Sequence, residues 1–187
     1  RQHRPSLQPM PEPPLVVRPA TPGDAPALAA LAEGTFRDTF AADNAPDDLE
    51  AYVREAFSLD RVRADLNDDA HTILLAFIDG TASPVGYATL RDVPPHPRVA
   101  GPEPVELQRL YVARPAIGHG VGAALMQASL DAARRAGRRT LWLGVWERNA
   151  RAIAFYERWG FETVGDHVFR LGTDEQRDLV MARAVDA

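Results

Sequence analysis

The sequence contains no cysteine and no lysine: all 21 basic residues among its 187 are arginine. Several chemistries are excluded with them. No disulfide, thiolate nucleophile or Cys-ligated zinc can be built, and neither a Schiff-base lysine nor a phosphate-loop lysine is available. No apolar run approaches the roughly 18 residues of a membrane-crossing helix. Positive charge is also in deficit, since 26 acidic residues leave a formal net charge of −5. That balance argues against non-specific nucleic-acid binding. Residues 1–14 lack the apolar segment of an export signal. With Pro5, Pro9, Pro11, Pro13 and Pro14 they read as a flexible proline-rich leader before one domain over 15–187, in a cytoplasmic protein.

What remains is 45% hydrophobic, enough for one substantial core. Leu15–Arg18 reads as a short strand, and Thr21-Pro22-Gly23-Asp24 supplies helix-start chemistry. Leu28, Leu31, Ala32, Thr35, Phe36 and Thr39 then recur at helical spacing. A second helix opens at Asp47, and a shorter piece covers Asp60–Leu66. Strands are expected over Thr72–Ile78 and Val85–Leu90, joined through Asp79-Gly80, a hairpin signal. The proline-rich stretch Val93–Pro104 is a loop. Beyond it come a strand at Val105–Val112, a glycine turn, a helix to Arg135 and a strand at Thr140–Trp146. A short helix from Ala150 and two pairing strands, near Phe161–Leu171 and Asp178–Ala184, complete the chain. The order predicts a single α/β domain with a mixed, mostly antiparallel sheet and flanking helices. Its fourth and fifth strands are parallel through a βαβ crossover.

The turn Gly118-His119-Gly120-Val121-Gly122 sits between a strand and a helix. That placement offers free backbone N–H groups to phosphate oxygens. Arg114 and the cluster Arg134, Arg135, Arg138 and Arg139 would add positive charge. A Rossmann site fits poorly, because the spacing is G-x-G-x-G and only one βα unit follows.

A second block lies downstream: Val145, Asn149, Ala152, Phe155, Tyr156, Gly160 and Phe161 match the pattern V-x-x-x-N-x-x-A-x-x-F-Y-x-x-x-G-F. Together with Leu110-Tyr111-Val112 and the glycine turn, in that order, it resembles the GNAT superfamily of acyl-CoA N-acetyltransferases over about Val16–Val185. One position departs from the family pattern, where Ile117 replaces the usual Arg or Gln before the first glycine.

The resemblance implies acetyl-CoA as cosubstrate and no metal. Its pantetheine arm would pair with the strand at Leu110, Tyr111 and Val112 as an added strand does. Its phosphates would meet Ile117, Gly118, His119, Gly120, Val121, Gly122 and Ala123. Asn149 would contact the pantetheine or cap the following helix. Tyr156 would be the general acid, since a phenol of pKa about 10 stays protonated at neutral pH. Glu106 would be the general base, placed by period two on one face with Gln108 and Leu110. Glu147 and His167 are its rivals. His71 reads as a strand flank, and His3 and His96 fall in loose segments.

Charge is unevenly spread. Residues 105–160 hold nine Arg against four acids, which suits a polyanionic cofactor. Residues 21–70 hold twelve acids against four Arg, with Asp38, Asp43, Asp47, Asp48 and Glu50 close together. The family shapes its acceptor site there, so cationic amines are favoured. Thr35–Phe40, Leu49–Tyr52 and Glu106–Val112 further resemble the bacterial spermidine/spermine acetyltransferase branch. The expected activity is acetyl transfer to a primary amine, such as a polyamine, by direct attack in a ternary complex. Protein N-termini, other small amines and a non-catalytic acyl-CoA-binding module are the alternatives. The expected partners are acetyl-CoA and a small amine, without nucleic acid or membrane; a homodimer is compatible with them.

Overall fold

The computed structural model describes residues 14–186. All of the expected leader except Pro14, and with it His3, lies outside the described residues. The strands are β1 (Leu15–Pro19), β2 (His71–Ile78), β3 (Gly86–Arg91), β4 (Pro104–Val112), β5 (Thr140–Trp146), β6 (Glu162–Leu171) and β7 (Asp174–Ala184). The helices are α1 (Ala25–Phe40), α2 (Pro46–Ala56), α3 (Leu59–Leu66), α4 (Val121–Arg135) and α5 (Ala150–Arg158). One sheet runs in the order β1-β2-β3-β4-β5-β7-β6, and only β4 and β5 are parallel. This is the α/β architecture that the hydrophobic periodicity predicts. β7 starts four residues earlier than its apolar pattern suggests, because Asp174–Arg177 pair with β6 through backbone hydrogen bonds.

The two faces of the sheet bury different helices. On one, Val121, Leu125, Met126, Leu130 and Ala133 of α4 pack on Leu74, Ala76, Leu107, Leu141 and Leu143. On the other, Leu28, Ala32, Phe36 and Phe40 of α1 and Leu49 and Val53 of α2 pack on Leu75 and Tyr87. β2 is therefore buried on both faces, as its continuous apolar run requires. A smaller cluster joins Val99 of the β3–β4 connection to Trp142 and Val180. Each large side chain so enclosed contributes about 1.5–3 kcal/mol of burial.

Two irregularities position the site. β4 and β5 are in register only from Pro104↔Thr140 to Glu106↔Trp142, after which they diverge. From Leu107 to Val112, β4 has no strand partner on that side. Its pairing with β3 shifts between Thr89↔Arg109 and Leu90↔Leu107, so Gln108 is the extra residue of a β-bulge.

Candidate active site

The glycine turn is built as the sequence predicts. Gly118 (φ +90°) and Gly120 (φ +79°) occupy the left-handed region, where a side chain is strained. α4 begins immediately after, and the Ala124 N–H is the first to bond within it, to the Gly120 carbonyl at 3.0 Å. The N–H groups of Val121, Gly122 and Ala123 thus have no main-chain acceptor among the described residues, and those of Gly118 and Gly120 have none either. Ile117 and His119 spend theirs on the carbonyls of Arg114 and Ala116. The turn opens onto a cleft of about 960 Å³ that runs through the gap between β4 and β5. Free N–H groups at a helix N-terminus and an unpaired stretch of strand fit, respectively, the phosphates and the amide-rich arm of acetyl-CoA.

Leu110, Tyr111, Val112, Ile117, Gly118, Gly120, Val121, Gly122, Ala123, Asn149, Tyr156 and Glu106 all line this cleft. His119 does not; it is exposed beside the turn. Glu147 does not either, being paired with Arg177 at 3.2 Å. Asn149 caps α5, its Oδ1 accepting from the Ala152 N–H at 3.2 Å, which leaves its amide N–H groups for the cleft. Tyr156 is 8% exposed, with Phe155 and Phe161 edge-on at 5.5 and 5.6 Å. Burial raises its phenol pKa, so it stays protonated across the neutral range.

Three expectations need correction. The bulge at Gln108 reverses the strand parity, so Glu106 shares a face with Arg109 and Tyr111, and not with Leu110, which packs toward α4. Glu106 is also tied down: Arg91 donates from Nε (2.8 Å) and Nη2 (2.7 Å) to its Oε2. Apart from Arg114, the basic residues of the cleft are not those that sequence proximity suggested. Arg134, Arg135, Arg138 and Arg139 lie at the far end of α4, about 22 Å along its axis, while Arg148, Arg151 and Arg158 line the cleft with Arg114. Among the clustered acids, only Asp38 and Asp43 reach it. Asp48 accepts from Thr173 Oγ1 at 2.8 Å, and Glu50 pairs with Arg37 at 2.7 Å.

Arg109 and His167, the latter a rival of Glu106 as base, also line the cleft. Arg109 places its guanidinium 4.7 Å over the Phe57 ring and forms no ion pair among the described residues. His96, expected in a loose loop, lies with its ring 6.1 Å from that of His167. His167 pairs across β6–β7 with Asp178. Burial pushes the Asp178 carboxyl up to about 6, and His167 partly offsets this. Its folded pKa therefore exceeds the unfolded value of about 3.9, so ionisation costs the fold stability above about pH 6 and nothing below about pH 4. Asp178→Asn is expected to raise the melting temperature at pH 7 and leave it unchanged near pH 4, as thermal unfolding at the two pH values would show.

Comparison with known proteins agrees with this geometry. The sequence model of the acetyltransferase (GNAT) family matches residues 34–161. An uncharacterized N-acetyltransferase of Mycobacterium tuberculosis is 37% identical over 161 residues, covering 86% of this chain and 97% of that one. The crystal structure of a PaiA N-acetyltransferase from Thermoplasma acidophilum, in complex with coenzyme A, superposes with a TM-score of 0.74 at 19% identity, covering 91% and 99% of the two chains. A ribosomal-protein-alanine N-acetyltransferase from Brucella melitensis has a TM-score of 0.64 at 29% identity, covering 90% and 99%. Glycine turn, diverging parallel strands and buried tyrosine thus lie on a shared framework, and the chain belongs to the GNAT family of acetyl-CoA-dependent N-acetyltransferases.

Proposed function

We propose that the protein acetylates a cationic primary amine, with polyamines as the preferred acceptors, by direct attack within a ternary complex. One observation carries the acceptor half. Asp38, Asp43, Glu106 and Asp178 line the cleft, and Asp43 and Asp178 form no ion pair among the described residues. Unpaired carboxylates in a cleft attract a dication or trication more than a monoamine.

In this reading the backbone N–H groups from Gly118 to Ala123 hold the phosphates, and Leu110, Tyr111 and Val112 align the pantetheine with help from Asn149. Bound acetyl-CoA supplies an activated thioester. Glu106, oriented by Arg91 through Oε2, takes the proton from the amine on its free Oε1. Tyr156 gives its phenolic proton to the departing sulfur. With no cysteine in the chain, the residues assigned roles serve direct transfer and form no acyl-cysteine. Acylation of a peptide N-terminus is the second reading, favoured by the 29% identity to the Brucella melitensis protein.

Initial rates with spermidine, a monoamine of similar length and an alanine-led peptide separate the two. Spermidine is expected to show the highest kcat/KM, with an advantage that shrinks as salt rises, because such attraction is screened over about 8 Å at physiological ionic strength. The double variant Asp38→Asn/Asp43→Asn should raise KM for spermidine more than for the monoamine. Equal rates for polyamine and monoamine, or a ratio insensitive to salt, would remove the polyamine assignment, and a preference for the peptide would replace it.

A further inference from the structure

Three buried polar atoms of cleft-lining residues have no hydrogen-bond partner among the described residues: Gln108 Oε1, His167 Nδ1 and Asp178 Oδ1. The last two belong to directly opposed residues of β6 and β7. Both side chains stand over Gly144 of β5, where a Cβ would lie 3.0 Å from His167 Cε1 and 3.5 Å from Asp178 Oδ2. The two make no hydrogen bond or ion pair with each other, so each keeps its bonding capacity for a third group. Unsatisfied buried acceptors are costly, and their persistence in pairs marks a place where a donor belongs.

Their position fits one donor in particular. Gly144 lies two residues beyond Trp142, the last residue of β5 in register with β4, and so on the diverging part of the strand. Leu143 and Val145 face α4, whereas Trp142 and Trp146 pack on the opposite side, toward the cluster of Val99 and that of Phe40 and Phe169. Asp178 and His167 therefore border the opening between β4 and β5 on the face that also carries Glu106. The lack of a side chain at Gly144 lets both lie close against the β5 backbone. An alkylammonium brings three N–H donors and a positive charge, whereas a hydroxyl brings one donor and no charge.

We infer that Asp178 and His167 form the seat of the acceptor's ammonium group, the Asp178 Oδ1 and the His167 Nδ1 each accepting one of its N–H bonds. This rests on the amine-acetylating reading above and adds to it the residues that recognise the amine. The pair binds and orients; removal of the proton stays with Glu106. Other charged or titratable groups nearby are His96 against His167, and Glu106 with Arg91, Asp43 and Arg148 along the same cleft. The Asp178 carboxyl, raised to about 6 by burial, makes the seat lose its charge in mildly acidic solution.

The test compares wild type with Asp178→Asn and with His167→Ala, using acetyl-CoA and spermidine, with coenzyme A affinity measured by calorimetry as the check on folding. KM for the amine should rise about ten- to a hundred-fold in Asp178→Asn, the usual range for a lost bond to a charged group. It should rise less in His167→Ala, while coenzyme A affinity stays within about twofold. In wild type the amine KM should also climb as pH falls below about 6, and this climb should vanish in Asp178→Asn. Unchanged amine KM in both variants, or parallel losses of amine and coenzyme A binding, overturns the seat while leaving the enzyme an acetyltransferase. A wild type whose thiol release responds to no amine overturns the amine-acetylating reading and the seat with it.

Discussion

Gly120→Glu is expected to abolish coenzyme A binding. The substitution puts a carboxylate among the N–H groups that the turn leaves free, where the account places phosphate. At about 4 Å and an effective dielectric near 20, repulsion between two unit charges is about 4 kcal/mol, close to a thousand-fold in Kd. Space does not prevent the side chain from being accommodated, since the nearest atom to a Cβ there is Leu15 Cδ1 at 3.7 Å. Backbone strain does enter, because φ is +79°. An L-residue in that region costs about 1–2 kcal/mol. Gly120→Ala carries the same strain without the charge, so the difference between the two variants isolates the electrostatic effect. Calorimetry should show weak binding to Gly120→Ala and none to a folded Gly120→Glu. Equal affinities in the two would move the phosphates elsewhere.

Tyr156→Phe is the second large effect, and it should fall on turnover alone. The hydroxyl is removed, while the ring keeps its edge contacts with Phe155 and Phe161. Those contacts hold the C-terminal part of α5 against the core, and coenzyme A affinity should stay within about twofold. Loss of a positioned general acid lowers kcat by about 10²–10⁴-fold. Because burial holds the phenol protonated well beyond neutral pH, the wild-type rate should show no fall from Tyr156 ionisation between pH 7 and 9. Wild-type turnover in the variant would leave Tyr156 a packing residue.

The parts of the site visible in the sequence are those fixed by local chemistry. Glycines 118, 120 and 122 declare a turn needing positive φ and close approach, and the run Asn149 to Tyr156 declares a capped helix with a tyrosine in its last turn. The hidden parts depend on long-range registration. Nothing in Val105–Val112 announces a bulge at Gln108, because the extra residue is defined by what β3 offers opposite it. Strict alternation therefore misplaced the face of Glu106. The arginines at and beyond the end of α4 misled because closeness in sequence became separation along a helix. Asp178 did leave a trace. It shares alternation with Gln176, Val180 and Ala182, which face inward, so a carboxylate there is out of place in an ordinary strand. Its meaning emerges only when β6 brings His167 opposite and β5 contributes a residue without a side chain.

The most direct measurement is the initial rate of thiol release over a matrix of acetyl-CoA and spermidine concentrations, with acetylated amine quantified in parallel. Direct attack in a ternary complex predicts amine-dependent release, one acetylated amine per thiol, and double-reciprocal lines that intersect. Thiol release that proceeds equally without amine, or a set of parallel lines, would contradict it.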